Sequence, residues 1–281
     1  MEPSKINFKN IPVQAGIISK ILGLDIDSHT CFQELDDLIS SDQGVASLVL
    51  RVVNSPFYNR GNTVATIPFA ISLLGYSVVR SLALMAFSRS LFSQTRNELF
   101  RVHIWQHALL SAIVSQNICN ELGETKLADE AFIAGLMHDT GKVLMFTHDT
   151  GLYEKVFKFE FENNCGSLQA EQKMFGFNHC EVGLQAVKEW KLPDRFNDYM
   201  GADLALPSKS RPTGCVMKCL MAANYLVRTA GIGANKAAEQ DVRMLALQSL
   251  SLQESMVEKL LQDEYIEGMM ENETYKLCAR I

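Results

Sequence analysis

The run His138-Asp139-Thr140-Gly141-Lys142 sets an imidazole and a carboxylate on adjacent residues, just after an apolar stretch that opens at Ala131. A neutral imidazole offers a nitrogen and an ionised carboxylate an oxygen, so the doublet supplies two ligands suited to a divalent cation. The same doublet also reads as a helix cap. A second copy, His148-Asp149-Thr150-Gly151, follows without the lysine, so the tetrapeptide alone does not identify a site. Upstream, Trp105-Gln106-His107 brings another imidazole from a different predicted helix, where it fits either a ligand or a buried, hydrogen-bonded core histidine. Other chemistries lack their parts. Gly231-Ile232-Gly233 has neither the third glycine nor the preceding strand of a phosphate-cradling loop, and no nucleophile elbow supports Ser-His-Asp catalysis. The seven cysteines are an odd number with no CxxC pair, which predicts reduced thiols. Cys215 and Cys219 share a helix face, but with no further ligand at metal spacing they read as small apolar packing residues.

The elements that must position these groups are helical by their spacing. Val45, Leu48, Val49, Val52 and Val53 repeat at three and four after a capping Ser41-Asp42, and Pro56 ends that helix near Asn54. A second helix is predicted from Thr66, with Pro68 in its first turn and Gly75 at its close, and a third from about Ser77. Apolar spacing then predicts helices from His103 to about Leu122 and from Ala128 to Leu136. Near the end, Ser251 and Glu254 form a capping-box pattern ahead of Val257, Leu260 and Leu261. Alternating strand patterns are missing, so the fold class is all-α. The polar stretch Ser93 to Glu98 predicts the boundary between two helical lobes, residues 1–95 and 96–281, and Leu206 to Gly214 reads as a flexible segment.

Composition narrows the function. With 26 Lys and Arg against 32 Asp and Glu, the chain carries a net charge of −6 and no positive field for nucleic-acid phosphates, so DNA is not an expected partner. The apolar stretch Val78 to Phe92 is interrupted by Arg80 and Arg89 and is too short to cross a bilayer; the N-terminus lacks the pattern of a secretory signal. A cytoplasmic protein without a membrane partner is the expectation.

His107, His138 and Asp139, in that order, resemble the first ligands of the HD superfamily of metal-dependent phosphohydrolases: an isolated His, a His-Asp doublet and a later Asp. Lys142 matches a lysine that, in active relatives, meets a substrate phosphate, which makes it the candidate catalytic residue. The N-terminal lobe draws the resemblance closer. Ser41-Asp42-Gln43 leading to Leu50-Arg51-Val52-Val53-Asn54-Ser55-Pro56-Phe57-Tyr58 is similar to the helix signature of HDOD domains, and so is Thr66-Ile67-Pro68-Phe69-Ala70-Ile71-Ser72-Leu73-Leu74-Gly75 with Val79-Arg80. The match continues to His179-Cys180-Glu181-Val182-Gly183 and Trp190-Lys191-Leu192-Pro193, from about residue 10 to 230.

The HDOD resemblance implies an HD-domain-like multi-helix fold and a bacterial regulatory or signalling module, with protein signalling partners or a small phosphorylated ligand such as a nucleotide. The other reading is a metal-dependent phosphohydrolase or phosphodiesterase acting on a nucleotide. His179 matches a further histidine of two-metal relatives, although beside Cys180 it equally caps a helix; His29 and His103 match nothing. Two departures weigh against catalysis. The histidine pair after the Leu-Pro turn gives way to Gly201-Ala202-Asp203-Leu204, and the last aspartate falls on Asn224. An amide oxygen brings no negative charge, so the implied set His107, His138, Asp139 and Asn224, with His179 beside it, should hold a divalent metal ion weakly or not at all. A working surface for partners is expected around Asn54 to Asn62, with its Pro56-Phe57-Tyr58 turn, and near Ser93 to Glu98.

Overall fold

Local chemistry sets the first helix ends. In the computed structural model, which describes residues 6, 13–25, 27–56, 58–59, 61, 63–92, 97–201, 214–233, 247 and 254–279, the Asp42 carboxylate accepts from the backbone N–H groups of Gly44 (2.9 Å) and Val45 (3.0 Å). Two of the donors that a helix start leaves unpaired are thereby satisfied. The helix behind them, Gln43–Val53, buries Val45, Leu48, Val49, Val52 and Val53 and stops at Asn54. Thr66 caps the next helix, Ile67–Leu74, with Pro68 in the first turn and Gly75 at the end.

The fold is all-α, and no strand occurs among the described residues. Its first part holds α1 (Val13–Leu22), α2 (Cys31–Ser40), α3 (Gln43–Val53), α4 (Ile67–Leu74) and α5 (Tyr76–Phe92). Arg80 of α5 donates to the carbonyls of Ile21 (3.2 Å) and Leu22 (3.1 Å), satisfying acceptors that the C-terminal end of α1 leaves open. Asn54 donates to the Leu50 and Val64 carbonyls and accepts from the Val64 N–H, which pins the loop between α3 and α4. Tyr58 in that loop is half-buried against the core. Of the expected partner surface around Asn54 to Asn62, Tyr58 packs partly against the core and Pro56 is exposed, while Phe57, Arg60 and Asn62 lie outside the described residues. Among the described residues, the large apolar side chains this part exposes are Phe32 of α2 and Phe69 and Leu73 of α4.

The second part begins with α6 (Glu98–Phe100), a π-helical turn (Arg101–Gln106) and α7 (His107–Glu121). Then follow α8 (Ala128–Met137), α9 (Thr140–His148), α10 (Thr150–Asn163), α11 (Ser167–Phe175), α12 (His179–Glu189) and α13 (Phe196–Gly201), and after these α14 (Cys215–Thr229), α15 (Glu254–Leu261), α16 (Asp263–Met270) and α17 (Glu273–Cys278). Helix α7 is central: it is buried on nearly every side and packs against α8 and α14. The Trp105 indole N–H donates to the Cys278 carbonyl at 2.9 Å, so the end of the chain fixes the π-helical turn. One continuous apolar cluster includes Ile18, Val49 and Phe87 of the first part and Leu109, Val182 and Leu226 of the second. Residues 93–96, Asp203, 206–213 and Ser251 lie outside the described residues. No described helix is long and apolar enough to cross a membrane.

Candidate metal centre

The two His-Asp doublets part company in the fold. Asp149 is a true cap: its carboxylate accepts from the Leu152 N–H at 2.9 Å at the start of α10, and His148 beside it is exposed. Asp139 stands at the start of α9 yet makes no capping bond, and it is buried. Because α8 ends at Met137 and α9 begins at Thr140, the break between them turns His138 and Asp139 inward together. Gly141 makes the next contact possible. A Cβ there would lie 2.0 Å from the His179 carbonyl oxygen, so a glycine is what lets α9 touch the start of α12.

A hydrogen bond to a carbonyl fixes the His138 proton. The Gly135 carbonyl lies 2.8 Å from His138 Nδ1 and the Ile232 carbonyl 3.1 Å from His107 Nδ1. A carbonyl only accepts, so His138 Nδ1 carries hydrogen and its Nε2 presents a lone pair, whereas His107 has an accepting oxygen at each ring nitrogen, from Ile232 and from Asn224. Burial holds both imidazoles below the usual histidine range, His107 well below it, although Asp139 pulls the other way. The two Nε2 atoms are 3.3 Å apart, and Asp139 Oδ2 lies 3.4 Å from that of His138 and 3.7 Å from that of His107. Two imidazole nitrogens and a carboxylate thus converge. Bonds of about 2.1 Å to one ion would set neighbouring ligand atoms about 3.0 to 3.4 Å apart, so these three residues fit a single divalent cation. Asn224 Oδ1 stands 3.0 Å from His107 Nε2, where its oxygen faces the same point.

Around this set lies a second, charged layer. Lys142 Nζ donates to Asp139 Oδ2 at 2.9 Å. Burial disfavours the ammonium, but Asp139 and then Glu171 outweigh that and raise its pKa. Burial likewise opposes ionisation of Asp139, and the surrounding His138, Lys142 and His179 hold it well below the usual carboxylate range nonetheless. His179 does not join the three ligand atoms. Its Nδ1 pairs with Glu171 at 2.6 Å, and its Nε2 lies 3.7 Å from the other Asp139 oxygen. Against the cost of burial, Glu171 pushes His179 up to about 10. Glu171 itself is fully buried and also accepts from the Tyr153 hydroxyl (2.6 Å) and the His179 backbone N–H (2.8 Å). Burial pushes Glu160, near Lys142, up to about 7.

The structure therefore gathers His107, His138, Asp139 and Asn224 at one point, with Lys142 and His179 attached through Asp139. Several partners escaped the sequence reading. Gly231-Ile232-Gly233, dismissed as a phosphate loop, is the seat of His107: a Cβ on Gly233, at φ +103°, would lie 2.1 Å from His107 Nδ1. His103, which matched nothing, accepts from the Gly233 N–H at 3.3 Å. It lies within the π-helical turn that precedes His107, a distortion that recurs at functional sites. The available signal for Glu171 was a carboxylate on the apolar face shared by Ala170 and Phe175.

The HDOD domain family matches residues 11–203, well over half of the chain. The chain belongs to the HDOD family. Among solved HDOD-like folds, an HDOD domain protein of unknown function from Geobacter sulfurreducens is 24% identical, with a TM-score of 0.71 over 94% of this chain and 89% of its own. A candidate phosphohydrolase from Shewanella amazonensis SB2B is 19% identical, with a TM-score of 0.64 over 94% of this chain and 91% of its own. A candidate signal transduction protein from Marinobacter aquaeolei VT8 is 20% identical, with a TM-score of 0.67 over 93% of this chain and 59% of its own. At these identities the likeness is one of fold. A protein of uncharacterised role from Treponema pallidum (strain Nichols) is 22% identical over 157 residues, 56% of this chain, and the match spans only 30% of that relative's length.

Proposed function

We propose that this HDOD chain is a bacterial cytoplasmic signalling module that does not turn over a substrate, and that its pocket serves as scaffold or as a sensor for a small phosphorylated ligand such as a nucleotide. The observation that carries this reading is the charge at the ligand atoms. Among the described residues, Asp139 is the one carboxylate facing His107 and His138, its Oδ2 is already shared with the Lys142 ammonium, and Asn224 stands where a second carboxylate would complete the set. Asp139 and Lys142 cancel, so little net negative charge is left to hold a divalent ion. Any ion would be held by His107, His138 and Asp139, with the Asn224 oxygen beside them. Bound there it would supply a Lewis acid and an acidified water. Lys142 is then the residue placed to meet a phosphate, once that phosphate draws it off Asp139.

Protein partners belong to the same proposal. Phe32, Phe69 and Leu73 support a partner surface on the first lobe, residues 1–95, with the pocket in the second, residues 96–281. The second reading, a metal-dependent phosphohydrolase acting on a nucleotide, draws on Lys142 and on the ring nitrogens of His107 and His138. Turnover of phosphodiesters and nucleotides by the manganese-supplemented protein separates the two. The rate is expected to match that of the His138→Ala variant; turnover that His138→Ala abolishes would make the protein an enzyme. Asn224→Asp restores a charged oxygen and should tighten manganese binding at least about tenfold by calorimetry. An unchanged affinity would remove Asn224 from the ligand set.

A further inference from the structure

Far from the His-Asp pocket, three thiols face one another. Cys119 lies near the end of α7, and Cys215 and Cys219 occupy the first two turns of α14. Their sulfur atoms all lie within 4.8 Å of one another, with Cys215 and Cys219 Sγ 4.0 Å apart. The sequence shows Cys215 and Cys219 one turn apart with no third donor; the antiparallel packing of α7 on α14 supplies it. Ordinary buried cysteines pack singly as small apolar groups. Here three sulfurs from two helices point at a common centre, all as free thiols. Along α7, Cys119 is about 18 Å from His107 at about 1.5 Å per residue, so this is a separate place from the His-Asp pocket.

We propose that Cys119, Cys215 and Cys219 form a second metal site, selective for a thiophilic d10 cation. Metal–sulfur bonds of about 2.3 Å place three sulfurs about 4.0 Å apart around a trigonal ion and about 3.8 Å apart around a tetrahedral one. The 4.0 Å between Cys215 and Cys219 meets the first value, and closing the remaining edges takes less than an ångström. Soft sulfur ligands select zinc, cadmium or cuprous ions over magnesium or calcium. The Glu124 carbonyl, which accepts from Cys119 Sγ at 3.3 Å, gives the site an oxygen at its edge. Cys119 and Cys219 are buried while Cys215 is only half-buried, which leaves a route of entry at the first turn of α14. Each thiol gives up its proton as its sulfur binds the metal. An ion there ties α7 to α14, the same pair that carries His107 and Asn224 at its other end.

Cadmium is the probe, because its sulfur charge-transfer absorption reports thiolate ligands and ignores histidine and carboxylate. Titrating cadmium into the reduced full chain is expected to raise that band to saturation at one equivalent. Cys215→Ser should weaken the binding at least tenfold, whereas Cys165→Ser, which alters a half-buried thiol elsewhere, and His138→Ala should leave it unchanged. Cys215 in the unaltered protein should also be alkylated at least tenfold more slowly with cadmium present, a readout that needs no variant to fold. A missing band, a band indifferent to Cys215→Ser, or equal alkylation with and without cadmium would overturn the proposal. So would a disulfide between Cys215 and either partner in the protein as isolated.

Discussion

Glu171 is the residue on which the charged layer rests. It is fully buried and takes hydrogen bonds from the Tyr153 hydroxyl, the His179 ring and the His179 backbone. Glu171→Ala leaves the His179 charge without its partner, and removing one member of a buried pair costs about 3 to 5 kcal/mol. Urea unfolding checks this; a loss below about 1 kcal/mol would show that His179 and Tyr153 find other partners. The same charges set the pH response. His107 and His138 are held below the usual histidine range when folded, so the unfolded chain takes up their protons first. Their contribution to stability should fall as pH drops below about 6.5, by up to about 1.4 kcal/mol per pH unit for each histidine, with Glu160, raised to about 7 by burial, offsetting part of it. His179 acts in the opposite direction. Raised to about 10 by Glu171 against the cost of burial, it contributes stability that is full below about pH 6.5 and is lost as pH rises toward about 10. Urea titrations across this range should show both limbs, with the alkaline one flattened in His179→Gln.

Helix ends separate what the sequence made legible from what it did not. Asp42, Thr66, Pro68 and Gly75 act within a turn of themselves, so α3 and α4 start and stop where their residue types predict. His138 and Asp139 were legible as a doublet, and their likeness to a family placed His107 with them. The seat of His107 was not legible, because it comes from Ile232, far along the chain, and from a π-helical turn fixed through Trp105 to the Cys278 carbonyl. Nor could spacing distinguish Asp139, which caps nothing, from Asp149, which caps α10. That distinction depends on Gly141 letting α9 close on α12. Gly141→Ala drives a Cβ into the His179 carbonyl, and overpacking of this kind costs about 1 to 3 kcal/mol. The thermal midpoint should fall accordingly; an unchanged midpoint would mean that α9 and α12 have room to part.

Across the whole molecule, α7 and α14 bring His107 and Asn224 together at one end of their contact and three thiols at the other. The apolar cluster that runs through both parts holds the two helices in place. On the proposed reading, the His-Asp pocket keeps the geometry of a metal centre while lacking the charge to retain the metal. The decisive measurement is the metal content of the protein purified without chelator, compared between the unaltered chain and His138→Ala and read beside phosphodiester turnover, because any ion held by the thiols would contribute equally to both. Equal metal in the two proteins and no turnover in either are expected. A full equivalent of metal lost with His138, together with turnover that disappears with it, would make the pocket a working metal centre and overturn this reading.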